Sequence, residues 1–214
     1  MRYFGRRLLA AFIVVAMAGA SALALPSLPA QVATHWNAAG QPDDTMPRLV
    51  GAFLLPAITA GVTLLLYVAP RFDPRYESIE SFRGGYEWFV VGMVAFLAYV
   101  HGMTLAWNLG LRFSFTAAMA LPLAGLFLGL GELLARARPN WTIGIRTPWT
   151  LSDDDVWTET HRRGAWAFRA LGVATLVAVA VPDLLLPVVL GGALLVAGYT
   201  MAFSYVAYRR RHAG

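Results

Sequence analysis

The sequence contains no cysteine and no lysine, and it has few charged residues of either sign. Without cysteine the chain can form no disulfide, no thiolate metal site and no cysteine nucleophile. Charged residues make up 14% of the 214 residues and apolar residues 58%, whereas soluble domains average about 25% and about 45–50%. Because this leaves too little polar surface to coat a water-soluble fold, the composition predicts a membrane protein.

The sequence also lacks the motifs of common enzyme classes. It contains no HExxH, GxSxG, Walker A or dinucleotide-binding glycine motif. We therefore expect no enzymatic activity, no catalytic residue, no cofactor and no metal. The formal net charge is +5, but the arginines lie in short clusters between apolar runs, which is typical of topology signals rather than of nucleic-acid binding. The lipid bilayer is thus the first expected partner, and no direct nucleic-acid contact is expected.

Six apolar runs come close to the roughly 20 residues that a helix needs to cross a bilayer. They cover residues 8–26, 49–69, 88–107, 115–135, 165–181 and 184–205. In the third run Trp88 and Trp107 are separated by about 28 Å of helix, so both indoles can lie at membrane interfaces. The predicted fold class is an all-α integral membrane protein: a six-helix transmembrane bundle with one external loop and one cytoplasmic loop or interfacial helix.

Arginine placement predicts the orientation of these spans. Only Arg48 and Arg112 fall in the connections on one side, and Arg169 lies inside the fifth run. The opposite side holds all the others: Arg2, Arg6, Arg7, Arg71, Arg75, Arg83, Arg136, Arg138, Arg146, Arg162, Arg163, Arg209, Arg210 and Arg211. This bias predicts a multipass protein of the cell membrane with both termini in the cytoplasm. An alternative is that residues 1–24 form a cleaved signal peptide, since Arg6 and Arg7 precede an apolar stretch that ends in small residues.

The external connection, between the first two runs, is one of two long loops. Pro29 helps to end the first helix, and residues 32–36 are expected to be extended and to lead into a turn around Asn37 and Gly40. His35 and Trp36 either contact a ligand, or Trp36 anchors in headgroups while His35 bonds a neighbouring carbonyl. A metal site here would use His35 with Asp43 and Asp44, but no regular ligand spacing supports one.

The cytoplasmic connection covers residues 136–164 and ends in a predicted helix. Ser152 followed by three aspartates is typical of a helix start, with a hydroxyl cap and carboxylates at the positive end of the dipole. Trp157, His161, Gly164 and Phe168 then recur on one face. On physical grounds this could be an interfacial helix with its tryptophans in the headgroups and its arginines on lipid phosphates.

Two ionisable groups lie near or within the apolar runs and are functional hypotheses by default. His101, in the third run, is expected to be buried and bonded to Thr104 or Tyr99. For Glu132, near the end of the fourth run, an ion pair with Arg136 four residues later is favoured over a proton-relay role.

Two segments resemble known families. The external loop and the next run carry Pro29, Thr34-His35-Trp36-Asn37, Gly40-Gln41-Pro42-Asp43 and Pro56. These residues resemble a bacterial and archaeal membrane domain of unknown function that commonly forms the front half of SdpI-family proteins. The cytoplasmic loop carries Asn140, Gly144-Ile145-Arg146-Thr147-Pro148-Trp149-Thr150-Leu151-Ser152, Val156-Trp157 and Thr160-His161-Arg162. This longer segment resembles the signature of the SdpI-like immunity protein family.

The resemblance implies a division into an N-terminal membrane domain, residues 1–69, and an SdpI-like domain, residues 70–214. It implies a protein that protects a cell against a secreted killing peptide and can hold a cytoplasmic autorepressor at the membrane. The external loop would meet the toxin through Pro29, His35, Trp36, Gly40 and Asp43. The cytoplasmic contact would involve Asn140, Gly144, Arg146, Thr147, Pro148, Trp149, Thr150, Trp157 and His161. The alternative is a small transporter, permease or efflux component, although no inverted repeat is visible.

Overall fold

The computed structural model describes residues 3–37 and 39–213, so Arg2, one of the predicted topology arginines, lies outside the described residues. Within these ranges the chain forms seven α-helices and one two-stranded hairpin. The elements are α1 Phe4–Ala24, β1 Gln31–Trp36, β2 Pro42–Pro47, α2 Arg48–Val68, α3 Tyr76–Asn108, α4 Phe115–Arg136, α5 Pro148–Ser152, α6 Asp154–Ala178 and α7 Pro182–Arg211. Single turns of 3-10 helix follow α1 and α2.

The predicted all-α membrane class is confirmed, because five helices are long and apolar enough to cross a membrane: α1, α2, α3, α4 and α7. The long helix α6 is less apolar, since its first turns carry several charged residues. It runs antiparallel to α4: Gly131 approaches Ala165 and Arg169, while Ala120 packs near Ala178. The count of six spans stays a prediction.

The helices pack in two groups. In the first group, α1, α2 and α3 pack together, with Ala10, Val90 and Val94 fully buried between α1 and α3. In the second group, α4, α6 and α7 share a core around Phe127, Leu171 and Val196, and the two groups meet where α3 packs on α4. Because α3 packs with the N-terminal helices, the predicted domain division at 69/70 cuts through the first group, and it stays a prediction.

Helix α3 begins twelve residues before the predicted interfacial Trp88. Its first half carries Glu87, whose side chain is 1% exposed and accepts from Arg7 Nη2 at 2.7 Å and from Arg83 Nε at 3.3 Å. A buried carboxylate needs such partners. Cleavage after residue 24 would remove Arg7 from this cluster, and the alternative of a cleaved signal peptide stays a prediction.

The two chain ends lie at the same end of the bundle. Arg7, near the start of α1, contacts the first half of α3, and Arg75, just before α3, pairs with Asp154 at the start of α6 at 2.6 Å. Arg211, at the end of α7, lies 3.5 Å from Asp153. We call this the signature end, because residues 136–164 lie there, and the opposite end the hairpin end. Which of them faces the cytoplasm stays a prediction.

Candidate functional site

At the signature end, residues 136–164, the signature loop, form a folded cap rather than an open loop. Asn140 organises its first turn and is 1% exposed. Its Oδ1 accepts from the backbone N–H groups of Thr142 at 2.8 Å and Ile143 at 2.6 Å, while Nδ2 donates to the carbonyls of Arg138 and Ile143. One buried side chain thus satisfies four backbone groups that the turn would otherwise leave without partners.

The loop then crosses a stacked pair of rings on α6. Trp157 and His161 are each 1% exposed and stack at 3.9 Å between ring centroids. Gly144, with φ +125°, lies directly on this pair. Ile145 N donates to His161 Nε2 at 3.0 Å, and His161 Nδ1 donates to the Trp157 carbonyl at 2.9 Å. Any side chain at position 144 would separate the loop from α6.

The bonding of His161 assigns its protonation state. Since Nε2 accepts and Nδ1 donates, the ring is the neutral tautomer protonated on Nδ1. Burial lowers the pKa of His161 to about 4, although the bond to the Trp157 carbonyl opposes that shift. His161 is therefore neutral at physiological pH and acts as a hydrogen-bond acceptor for the loop backbone.

The second half of the loop is tied to α7 through the short helix α5. Thr147 caps α5, forms a capping box with Thr150, and precedes Pro148 at the first helical position. The Thr147 hydroxyl also donates to Ser204 Oγ of α7 at 3.0 Å. Thr150 Oγ1 returns to the Ile145 carbonyl at 2.8 Å. These bonds fix α5 against the second helix group.

Asp73 joins the loop to the first helix group. It lies just before α3, and its Oδ2 accepts from Trp141 N at 2.9 Å and from the Thr142 hydroxyl at 2.5 Å. Its Oδ1 accepts from Arg75 N at 2.8 Å. The loop therefore bridges both helix groups at this end of the bundle.

At the hairpin end, β1 and β2 pair antiparallel and dock on the helices. Asn108, the last residue of α3, brackets Ala33: Oδ1 accepts from Ala33 N at 2.8 Å and Nδ2 donates to the Ala33 carbonyl at 3.0 Å. Trp36 stacks on Phe115 of α4 at 4.0 Å and meets the edge of Trp107 at 6.1 Å. The hairpin thus also bridges the two helix groups.

A cavity of about 800 Å³ lies beneath the hairpin, between α2, α3, α4 and α7. Its walls are mainly apolar, and its lining includes Leu54, Ile58, Met119, Leu123, Leu186 and Val189. The hairpin lines the cavity with residues 34–37. Two polar atoms of hairpin residues in this lining, Thr34 Oγ1 and Trp36 Nε1, are themselves buried and have no hydrogen-bond partner in the protein.

Comparison with protein families gives two matches. Residues 136–207 match the SdpI/YfhL protein family, and residues 12–60 match a domain of unknown function, DUF1648. This chain carries a DUF1648 region followed, toward the C-terminus, by an SdpI/YfhL-family region. The SdpI region covers the signature loop, α6 and most of α7, and the DUF1648 region covers most of α1, the hairpin and the first half of α2. Comparisons with curated proteins and with solved structures gave no match.

Most predicted contact residues of the SdpI region are buried within it. The buried ones are Asn140, Thr147, Thr150, Trp157 and His161, whereas Gly144, Arg146 and Pro148 are exposed and Trp149 is half-buried. The expectation that the α6 tryptophans lie in headgroups is wrong for Trp157, because the chain's own loop covers it. A partner contact through Trp157 and His161 stays a prediction and would require the loop to open. Arg146 is accessible, and its Nη1 donates to the Trp141 carbonyl at 2.9 Å.

The predicted contact residues of the DUF1648 region are spread along the hairpin. His35 and Trp36 lie on β1, Asp43 on β2, Gly40 in the turn with φ +71°, and Pro29 is exposed before β1. His35 Nδ1 pairs with Asp43 Oδ1 at 2.6 Å near solvent. Among the described residues, no group of three histidine or acidic side chains could hold a metal.

The helix start in the SdpI region differs from the prediction at one residue. Ser152 does not cap α6; it is the last residue of α5, and Asp153 is the cap, with Oδ1 accepting from Asp155 N at 2.9 Å and Val156 N at 3.0 Å. Burial alone would raise the pKa of Asp153, but these backbone hydrogen bonds lower it below its ordinary value.

The intramembrane expectations had mixed outcomes. The Glu132–Arg136 ion pair is confirmed at 2.5 Å, and Arg169 of α6 adds a second contact to Glu132 at 2.7 Å. The predicted partners of His101 are wrong. Its Nε2 lies 3.0 Å from Ser21 Oγ and 3.2 Å from the Met17 carbonyl, both on α1.

Sequence reasoning missed Asp73, Ser204 and the helix residues that line the hairpin cavity. Asp73 precedes Pro74, and an Asp-Pro pair is a turn signal that could have marked it. Ser204 lies among apolar residues of α7 and gave no such signal. The cavity-lining residues of α4 and α7 are apolar like any lipid-facing residues. Only the packing of the helices shows that they line one cavity.

Proposed function

We propose that this multipass membrane protein binds a secreted antimicrobial peptide in the cavity beneath its hairpin and so protects the cell that makes the protein. The SdpI/YfhL match supports an immunity-like membrane family. The observation that carries the peptide proposal is the cavity of about 800 Å³ with mainly apolar walls beneath the hairpin. A hydrophobic peptide segment offers apolar side chains that match these walls.

The alternative, transport of a polar solute, has less support from the same cavity. Transporter sites near the midplane usually present charged groups or broken helices. Here the helix residues in the lining are uncharged, and His35 and Asn37 belong to the hairpin roof. The lining chemistry therefore favours an apolar peptide over a polar solute.

The proposal extends to the signature end, where the exposed edge of the folded loop would contact a cytoplasmic repressor. Trp141 and Arg146 are the exposed residues that this contact would use. Because the hairpin and the signature loop each bridge both helix groups, a peptide that separates the groups at one end would change the packing at the other. Such coupling requires the peptide to bind one packing more tightly than the other.

Filling the cavity should abolish protection. We would express the chain in a strain killed by an SdpC-type peptide and compare Met119→Trp with Leu121→Trp, both on α4. Met119 lines the cavity, whereas Leu121 is 65% exposed on the lipid-facing surface. At matched membrane levels Met119→Trp should reduce survival at least about tenfold, and Leu121→Trp should protect as the natural chain does.

Two further variants separate the parts of the proposal. Trp36→Phe keeps an aromatic ring against Phe115 and leaves the cavity open, so it should weaken protection less than Met119→Trp. Arg146→Ala should leave protection intact and affect only signalling at the other end. Full protection by Met119→Trp would eliminate the cavity as the peptide site, and no protection by the natural chain would eliminate immunity against this peptide.

A further inference from the structure

A second apolar cavity, separate from the hairpin cavity, runs as a groove between α3 and α4 toward the signature end. It measures about 600 Å³. It extends from Tyr99 and Pro122 to Gly85 and Arg136, which on each helix is 14 residues or about 21 Å. This exceeds the hydrocarbon depth of one leaflet, about 15 Å, or half the bilayer core. The groove therefore follows one leaflet along the helices.

Glycine leaves the walls of this groove open. An added Cβ at Gly92 of α3 or at Gly125 of α4 would meet no other heavy atom within 4 Å. The remaining walls are mostly apolar and include Phe89, Met93 and Leu126. Water has few polar partners in such a space. A hydrocarbon occupant suits the groove better than water does.

The signature end of the groove is positively charged. Arg136 lines it, and Arg6 lies over the Trp88 ring, also in the lining, at 4.9 Å from its centroid. Arg6 Nη1 donates to the Gly84 carbonyl at 2.9 Å. Glu132 is the carboxylate in this lining, and it is shared between Arg136 and Arg169. Arg6, Arg136 and Arg169 together outnumber Glu132 at this end, so it carries an excess of positive charge.

The shape of the groove suits an extended acyl chain. It is about 21 Å long and holds about 600 Å³, so it is long and narrow. An extended acyl chain has the same long and narrow form.

We propose that this groove is a binding site for one anionic phospholipid. One acyl chain lies along Gly92 and Gly125, and the phosphate lies at the signature end near Arg136 and Arg6. Trp88, 55% exposed beside them, places this end at the level of the headgroups. The bound lipid fills the space between the two helix groups and holds them together at this leaflet. This proposal is independent of the peptide cavity.

The test is lipid retention by the purified full-length protein, measured by native mass spectrometry from detergent micelles. Phosphatidylglycerol and phosphatidylcholine with identical acyl chains are added in equal amounts. The natural chain should retain one phosphatidylglycerol in at least about tenfold preference. Gly92→Leu and Gly125→Leu should lose this adduct, because the leucine side chain enters the groove from a position where an added Cβ meets no protein atom.

The matched control is Gly61→Leu on α2. Gly61 also has open space around an added Cβ but does not line the groove, so the change has the same effect on helix propensity. This variant should retain phosphatidylglycerol fully, and Arg136→Gln should lose the preference over phosphatidylcholine while still retaining lipid. Equal retention of both lipids by the natural chain, or undiminished retention by Gly92→Leu and Gly125→Leu, would overturn the proposal.

Discussion

Replacing Gly144 with alanine is expected to unfold the signature loop from α6. The backbone at Gly144 has φ +125°, which costs a residue with a side chain about 1–3 kcal/mol. The new Cβ would also lie 2.3 Å from His161 Nε2 and 3.1 Å from Trp157 Cη2. These rings are stacked and buried, so they have little room to move, and overpacking adds about 1–3 kcal/mol. The total loss in free energy of unfolding should be about 2–6 kcal/mol.

A second glycine separates backbone strain from the clash. Gly110, between α3 and α4, has φ +101°, but an added Cβ there would meet nothing within 4 Å. Gly110→Ala should therefore cost only the strain. Both variants would be unfolded in mixed detergent micelles by increasing denaturing detergent and followed by tryptophan fluorescence. Equal losses in the two variants would show that contact with His161 and Trp157 contributes nothing.

The extent of the spans was predictable only where apolar residues dominate. Hydropathy placed the third span at Trp88, but α3 begins at Tyr76 because the intervening charges have partners within the fold. Arg83 pairs with Glu80 and Glu87, and Glu87 also receives Arg7 from α1. A hydropathy profile counts each of these residues as polar and contains no information on such pairs.

The hairpin was half predictable. Extended structure at residues 32–36 and a turn near Gly40 followed from the residues themselves. The second strand, Pro42–Pro47, contains two prolines and two aspartates, which are depleted in strands. The second strand forms because tertiary contacts hold β1 in place. Asn108 binds both backbone groups of Ala33. Val32 packs closely against Gly51, where an added Cβ would lie only 2.3 Å from the Val32 side chain.

The signature loop shows which local signals are decisive. The sequence predicted a cap at Ser152, but Thr147 and Thr150 form a capping box with Pro148 at the first helical position of α5. This separate short helix moves the cap of α6 to Asp153. The burial of Trp157 and His161 was not readable, because a buried stripe and an interfacial stripe have the same spacing. Only the position of Gly144 against the two rings distinguishes them.

Lowering the pH is expected to destabilise the signature loop through His161. The pKa of His161 is about 4 in the folded protein because of its burial, against an ordinary value of about 6.5. Between these values the unfolded chain binds more protons than the folded one, so stability falls as the pH decreases from 6.5 to 4. Above pH 6.5 both states are neutral and the effect disappears. Below pH 4 the loss is complete, at about 3 kcal/mol.

His161→Gln should remove this pH dependence. The glutamine amide oxygen can accept from Ile145 N as Nε2 does, but it does not titrate. The free energy of unfolding would be measured for both proteins between pH 7.5 and pH 4, with the difference between them taken at each pH. Asp153 titrates in both proteins and cancels in this difference. The natural chain should lose about 3 kcal/mol relative to the variant across this range, whereas parallel curves would show that His161 is not held neutral by the loop.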